Sequence, residues 1–420
     1  MHIVREIIVN QNDVIAGLDI GTTKICCVAA EVGDNNDARI IGMGTCASHG
    51  IISGVVVDID STVEAIRTAV SLASQQSGKE ITSVYAGVTG KHISSVNSRG
   101  VIAITHPNRE ITEEDVERVT DASRLIVIPP DQMILNAIPR SFSIDGQSGI
   151  KHPLGMSGSR LEVETHIITA SRTFIDNIGK CIQKAGLYID EMILQPLATA
   201  ESVLLPGEKN LGVCILDIGG GTSDMAIFVQ GEIYYSAVIP IAGQHVTYDM
   251  AYGLQVNEDE AEKIKLKYGC ITPQYILDDE TVPVLQIGKG APRQLPRKTL
   301  CVIIEPRMEE LFEMALKEIE KSGMKGKLPG GIILSGGGSL MPGTLECATR
   351  VLGMRARQGK PEHVSGLVDF VNSPIYATAV GLVQYGIKQK TQEPPSRHSR
   401  GWLDSIGKFI SGILSRLGFG

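Results

Sequence analysis

The sequence predicts an α/β protein of two duplicated lobes, with a small α+β module inserted in the first lobe and a helix at the end of the chain. Three stretches carry the prediction. An apolar strand, Leu211 to Leu216, runs into Asp217-Ile218-Gly219-Gly220-Gly221-Thr222-Ser223-Asp224 and leaves through a second strand, Met225 to Val229. The same device stands near the start: Val14 to Leu18, then Asp19-Ile20-Gly21-Thr22-Thr23-Lys24, then Ile25 to Ala30. A third cluster, Leu334-Ser335-Gly336-Gly337-Gly338-Ser339, follows the strand Gly331 to Ile333 and precedes a helix near Gly343 to Leu352.

The residue types point to nucleotide chemistry. Glycine has no Cβ to hold an anion away from backbone N–H groups, and a carboxylate at a strand end can hold a hydrated Mg²⁺. Two strand-flanked turns of this kind suggest a duplicated fold closing on one nucleotide, with Asp19 and Asp217 at the metal. Gly336, Gly337 and Gly338 supply a flat backbone surface, with a helix N-terminus, for adenosine or phosphate. There is no G-x-x-x-x-G-K-[ST], so the site is not a P-loop. The set resembles the superfamily of actin, sugar-kinase and heat-shock chaperone ATPases.

At 420 residues the chain can form two or more domains. Charged residues make up 20% and hydrophobic ones 43%, as in an ordinary soluble globular protein. A net charge of −8 argues against a nucleic-acid partner. The eight cysteines form no C-x-x-C pair, and Cys26, Cys27 and Cys214 lie in apolar strands, which predicts buried reduced thiols and a cytosolic protein. Residues 1–13 carry no signal-peptide h-region, and no run of 18 apolar residues could cross a bilayer.

Taken in order, residues 1–82, 164–190 and 374–387 read as lobe one. Its helix Ser61 to Gln75 presents Val63, Ile66, Ala69, Val70 and Ala73 on one face and closes at Gly78. Residues 83–163 read as the inserted β-α-β-β module: strands Val84 to Val88 and Val101 to Ile104 around a Ser-, Asn- and Gly-rich loop, a helix capped by Thr112, and strands Met133 to Ile138 and Leu161 to Thr169. Val116, Val119, Ala122 and Leu125 form that helix's expected buried face, and Pro129-Pro130 ends it. The module carries no chemistry motif; it is either a decorative insertion or a surface for self-association or a partner. After the helix Arg172 to Ala185 and the strand Tyr188 to Leu194, Gln195-Pro196 opens a helix running to Leu205. Gln195 either orients a water at a γ-phosphate or is a polar helix-start residue.

Residues 191–244 and 301–373 read as lobe two, and 245–300 as its own subdomain. There Asn257 caps a helix ending at Gly269, on which Glu262 and Lys265 lie three apart. They either contact ribose and flank adenine or form a surface ion pair. Short strands with a Gly288-Lys289-Gly290 turn follow. Residues 301–322 read as a strand and then a helix, with Pro306 in its first turn and Arg307 and Glu310 on an exposed face.

Residues 388–400 have the composition of a flexible linker. Beyond it, in residues 401–420, Trp402, Leu403, Ile406, Phe409, Ile410, Ile413, Leu414 and Leu417 fall in a helical arc of about 140°. Arg397, Arg400, Lys408 and Arg416 stand against the single acid Asp404. An amphipathic helix with a Trp at its edge and basic flanks is suited to the surface of a membrane; docking on the body or on a partner is the rival reading.

With these residues in view the chain is similar to the FtsA family, the bacterial actin homologues of cell division. The likeness rests on the two hairpins, the insert with Ile150-Lys151-His152-Pro153-Leu154-Gly155-Met156-Ser157-Gly158, the segment Glu305 to Leu311, and the terminal helix. The resemblance implies an actin-like fold in which the insert replaces an actin subdomain on the other side. It implies ATP with Mg²⁺, polymerisation, a peripheral place on the cytoplasmic side of the inner membrane at the division site, and contact of the insert with other division proteins. It also implies tethering of the tubulin-like FtsZ, whose C-terminal peptide would meet Arg307 and Glu310, and gives Gln195 the role of actin's water-positioning glutamine. Three rivals share the fold. A sugar kinase needs a catalytic base, and none is obvious here. A chaperone needs a substrate-binding domain for which too little chain remains, and a pilus-assembly relative should lack the amphipathic tail.

Overall fold

The computed structural model describes residues 14–33, 37–288 and 291–392. In chain order, β1 (Ile15–Ile20), β2 (Lys24–Val32) and β3 (Ala38–Ala47) form a meander; a tight hairpin of β4 (Ile51–Ile52) and β5 (Val55–Val56) leads into α1 (Ile59–Ser77) and β6 (Ser83–Val88). Asp58 caps α1 by accepting from the N–H groups of Asp60 and Ser61, and Gly78 ends it in the left-handed conformation. The insert follows as β7 (Ser94–Ala103), α2 (Glu113–Arg124), β8 (Gln132–Ile144), β9 (Gln147–Ile150) and β10 (Arg160–Ser171). The chain returns through α3 (Arg172–Lys184), β11 (Tyr188–Leu194), α4 (Gln195–Val203) and α5 (Pro206–Leu211).

The second lobe repeats the plan: β12 (Val213–Ile218), β13 (Ser223–Val229), β14 (Glu232–Ile239), then α6 (Gly243–Leu254), α7 (Glu258–Tyr268), the ribbon β15 (Thr281–Val284) and β16 (Arg293–Pro296), α8 (Lys298–Lys321), β17 (Ile332–Ser335), α9 (Thr344–Leu352) and β18 (Ala356–Gln358). Last come β19 (Val364–Gly366), α10 (Val368–Val371) and α11 (Ala377–Gln392).

The duplication is visible in strand order. Lobe one runs β11-β6-β1-β2-β3-β19 and lobe two β14-β13-β12-β17-β18. In both, an antiparallel meander of three strands is extended by two parallel strands on the side of its first strand. Each sheet is buried by helices, so β1 and β12 read as unbroken apolar runs. One core spans lobe one, α4, α11 and the inner face of the second sheet; another joins the outer face of that sheet to α6, α7, α8 and α9; a smaller one fills the insert around Val119, Phe142 and Leu161. No helix among the described residues is long and apolar enough to cross a membrane. All eight cysteines are unpaired and seven are buried.

Several expectations are corrected. Ser83–Val88 belongs to the first sheet, pairing with β1 and β11, so the inserted sheet, β7-β10-β8-β9, begins after it and extends past residue 163 to Ser171. Likewise β11 stays in lobe one to Leu194. The polar stretch expected as a loop before Val101 is the first half of β7, an edge strand whose Ser95 and Asn97 bond carbonyls of β14 in lobe two. Helix α2 buries Asp115, Val119 and Ser123, and Leu125 is 86% exposed. The close approach of the helix to Gly100, where a Cβ would lie 2.2 Å from the Val119 carbonyl, sets that face. Ser123 meets Thr165 at 2.7 Å, and Asp115 holds the N-cap, so both polar groups are satisfied.

The helix expected to run to Leu205 stops at Val203; α5 intervenes, with Leu211 its last residue, and the following strand starts at Val213. The apolar run around Val302 is not a strand but part of α8, which places Pro306 inside a continuous helix. A short apolar run does not distinguish strand from buried helix; here Leu300, Ile304, Met308 and Leu311 are buried at helical spacing while Val302 is 75% exposed. The bond that Pro306 cannot make would go to the Val302 carbonyl, on the outer side of the helix. Lys388–Gln392, expected in the linker, are the end of α11. The remaining linker, the whole terminal helix with Trp402, residues 1–13, and Lys289-Gly290 lie outside the described residues.

Candidate functional site

The loops that close β1–β2 and β12–β13 face each other across a cleft of about 380 Å³ between the lobes. Each hairpin is closed by the same backbone bond: Gly21 N–H to Lys24 O at 3.0 Å in one, Gly219 N–H to Thr222 O at 3.1 Å in the other. Asp19 and Asp217 stand at equivalent ends of the central strands, each one residue before the turn. The glycines of the second turn are needed for space. A Cβ at Gly220 would lie 2.4 Å from Thr23 Cγ2, and one at Gly221 2.5 Å from Thr22 Oγ1. Hairpin two is also fixed from behind, because the first N–H groups of α6, on Gly243 and Gln244, donate to the carbonyls of Gly219 and Gly220 at 3.0 and 2.8 Å.

The cleft floor carries three buried carboxylates. Asp19 accepts from Gln195 Nε2 at 2.9 Å. Asp217 accepts from the hydroxyls of Thr199 and Thr378, each at 2.8 Å. Asp224 accepts from Thr89 and, at 3.3 Å, from Thr222. Burial raises all three acids. Asp19 rises to about 6, with Lys24 pulling it down and Asp217 pushing it up. Asp224 rises to about 7, mainly by burial and against the hydroxyl of Thr89. Asp217 is raised by burial, against the hydroxyls of Thr199 and Thr378 and the charge of Lys24. The ammonium of Lys24 is anchored 2.8 Å from the Ile375 carbonyl and lies over the Tyr376 ring.

Every residue that the sequence suggested for nucleotide or metal lines this one cleft: Asp19, Gly21, Thr22, Thr23 and Lys24; Gln195; Asp217, Gly219, Gly220, Gly221 and Thr222; Glu262 and Lys265; Gly336, Gly337 and Gly338. Glu262 and Lys265 pair at 2.6 Å, as their spacing on one helix face allows, and both line the cleft. Lys265 additionally donates to Gly243 O and to Thr247 Oγ1 at 2.9 and 2.8 Å. The third glycine cluster enters through a short 3₁₀ turn, Gly337–Leu340, so that turn and not α9 stands next to the cleft. Gly336, at φ +76°, is required: a Cβ there would lie 2.3 Å from Asp217 Oδ1.

Sequence reasoning missed Thr89, Thr199, Asp224 and Thr378. Thr89 follows an ordinary apolar strand and Thr378 opens a helix far along the chain; nothing local marks either one. Asp224 was legible in principle, since it pairs with Asp217 across the hairpin. Val246, Met308, Met341 and Pro342 add an apolar wall beside Lys265.

Three acids and one nearby ammonium leave a site that a hydrated cation suits. Among the described residues no group of three or more His, Cys, Asp and Glu side chains could chelate an ion by itself. The remaining ligands of a Mg²⁺ at Asp19 and Asp217 would be water and phosphate oxygens, as is usual for that ion. Elsewhere, Arg307 on α8 makes a forked pair with Asp249 of α6, at 2.6 and 3.0 Å, and a further bond to Glu310 at 2.6 Å. Arg307 and Glu310 therefore do share one face, with Asp249 as an unforeseen third member.

Comparison with known proteins places the chain. Residues 214–381 match the family model for cell division protein FtsA, and residues 90–169 match the SHS2 domain inserted in FtsA. Among curated relatives, the cell division protein FtsA of Pseudomonas aeruginosa is 44% identical over 97% of this chain and 97% of its own. The FtsA proteins of Neisseria meningitidis, at 41%, and Escherichia coli, at 39%, cover 91% and 96% of this chain and 92% and 97% of their own lengths. Among solved structures, a chain of the PilM–PilN type IV pilus biogenesis complex superposes with a TM-score of 0.66 at 18% identity, over 90% of this chain and 99% of that one. MreB5 of Spiroplasma citri bound to ADP superposes at 0.55 and 12%, over 91% of this chain and 100% of that one. These two likenesses are of fold.

Proposed function

Because the chain belongs to the FtsA family of actin-like cell division proteins, we propose that it binds Mg·ATP between its lobes, polymerises, and holds FtsZ filaments at the cytoplasmic face of the inner membrane. The observation that carries the nucleotide part is the convergence of three glycine clusters, from distant parts of the chain, on one cleft of about 380 Å³. The ADP bound to the similarly folded MreB5 is consistent with it.

In this reading the backbone N–H groups of the two hairpins and Lys24 hold phosphates, Asp19 and Asp217 hold the hydrated Mg²⁺, and Glu262 and Lys265 contact the ribose beside the apolar wall. The metal supplies charge neutralisation between phosphates and carboxylates. Gln195, fixed to Asp19, is a donor and acceptor rather than a strong base, which suits slow hydrolysis and a switch more than rapid turnover.

Arg307, Asp249 and Glu310 form a half-exposed charged cluster where the FtsZ C-terminal peptide would dock, exchanging one partner of Arg307 for its own carboxylates. Lipid attachment is assigned to residues 401–420. One tail of eight apolar side chains offsets its ordering entropy only modestly, so a row of tails along a polymer adds avidity. The insert would meet the next subunit or other division proteins.

Calorimetry with Mg·ATP and vesicle sedimentation of the full chain test the proposal together. We expect saturable nucleotide binding, and Trp402→Glu should lower sedimentation sharply with nucleotide affinity unchanged. No heat of binding would remove the nucleotide part, and unchanged sedimentation the anchor.

A further inference from the structure

The eight cysteines are not alike in their surroundings. Cys26, Cys27 and Cys181 belong to the first core, Cys214 and Cys347 to the second, and Cys46 is half-buried. Cys270 and Cys301 stand apart from both cores, in a small cluster of their own with Ile276. Both are buried, at 0% and 3% exposure. Cys270 lies just past the end of α7 and Cys301 in the first turn of α8. The thiol of Cys270 donates to the Thr272 carbonyl at 3.0 Å. Its sulfur is then the acceptor for Cys301, with which it shares a hydrogen bond.

The two segments are also tied without sulfur. Arg297, the residue before α8, donates from Nε to the Tyr268 carbonyl at 2.8 Å and pairs with Glu280 at 2.7 Å. The two sulfurs are thus held in contact by bonds on either side of them, and little backbone movement separates this pair of thiols from a disulfide. The segment bears on the cleft. Gly269, next to Cys270, lines it, and Ile271 N–H donates at 2.9 Å to the carbonyl of Pro342, which lines it too.

We propose that Cys270 and Cys301 are a redox-modification site, at which a peroxide forms an intramolecular disulfide that braces this wall of the cleft. The thiolate of Cys301, the less enclosed of the two, attacks one oxygen of hydrogen peroxide. The O–O bond breaks, and the leaving hydroxide takes up the proton that the thiol gave away, leaving a sulfenic acid and one water. The sulfur of Cys270 then displaces the sulfenic hydroxyl, which leaves with the Cys270 proton as a second water. Two thiols lose two electrons and two hydrogens, and one peroxide becomes two waters. Burial pushes the Cys301 thiol up to about 11, with Cys270 and Glu305 adding to the rise and Arg297 opposing it. Thiolate is therefore scarce near neutral pH, and the pair stays reduced until oxidant accumulates. The inference does not depend on whether nucleotide binds.

The test treats the full chain with hydrogen peroxide, caps free thiols and maps the peptides by mass, for wild type, Cys46→Ala and Cys301→Ala. Thermal midpoints are read before and after dithiothreitol. We expect wild type and Cys46→Ala to give one peptide pair joined through Cys270 and Cys301. Closing a loop of about 30 residues should raise their midpoint by about 3 °C or more, reversed by dithiothreitol. Cys301→Ala should show neither the bond nor the rise. Sulfinic acids without that disulfide, or a disulfide through Cys46 instead, would overturn the inference. A Cys270–Cys301 bond that leaves the midpoint unchanged would overturn the brace. If Cys301→Ala does not fold, the peptide maps and midpoints of the other two proteins decide by the same outcomes.

Discussion

The two hairpins that face the cleft have the same strand order, the same turn bond and an aspartate at the same place, yet their chemistry has diverged. Across from Asp19 stands Cys26, a buried thiol; across from Asp217 stands Asp224, a second acid. Hairpin one has side chains in its turn and carries the ammonium of Lys24, itself tethered to Ile375. Hairpin two has only glycine at its tip and is packed against Thr22 and Thr23 so closely that no Cβ fits. Duplication fixed the backbone, and divergence gave one copy the cation and the other the acids and the close approach. The fold tolerates side chains in the first turn and forbids them in the second.

The largest effect that would test this asymmetry is steric. Gly221→Val places carbon against Thr22 and Ser53, and overpacking on the order of 1–3 kcal/mol, if it is taken wholly from binding, corresponds to a roughly five- to 150-fold loss of Mg·ATP affinity. Thr22→Val, in the open turn, should cost much less by calorimetry; equal losses would mean that the two turns are not differently constrained.

A smaller effect separates the supports of the two central aspartates. Thr378→Val removes one of the two hydroxyls on Asp217, a hydrogen bond to an acid worth about 1 kcal/mol or more, so affinity should fall about five- to tenfold with the melting temperature little changed. If affinity is unaffected, Asp217 does not depend on its threonines.

The smallest effect is on stability against pH. Asp19 and Asp224 have folded-state values raised to about 6 and about 7, above the ordinary 3.8. The folded protein therefore binds protons more tightly than the unfolded chain, and the stability these acids contribute is complete below about pH 4 and lost as pH rises to about 7. Other groups aside, nucleotide-free protein should lose a few degrees of thermal midpoint between pH 5 and pH 8 from this cause. Asp224→Asn should flatten that slope, and an unchanged slope would show that Asp224 does not titrate in this window.

Much of the site was legible because its parts are local. A glycine turn between two apolar strands is encoded within ten residues, and so was each of the clusters around Asp19, Asp217 and Gly336. What escaped was made by distant chain segments meeting. Thr378 opens α11 and Thr199 lies within α4, yet both bond Asp217 and meet each other at 2.9 Å. Asp249 reaches Arg307 from another helix. The misread elements share one cause. Polar Ser95 and Asn97 did not look like strand until lobe two supplied their acceptors, and the apolar run at Val302 did not look like helix until α8 had a core to lie on.

By itself the sequence determined the two hairpins, the apolar strands that flank them, and the nature of the groups they carry, because turn geometry and apolar periodicity act over a few residues. Only the tertiary structure decided that these groups share one cleft, that burial raises the pKa of its acids, and that Ser53 and Gly54 sit where both hairpins meet. Distances and desolvation are properties of packing between segments remote in the chain, and no local pattern encodes them.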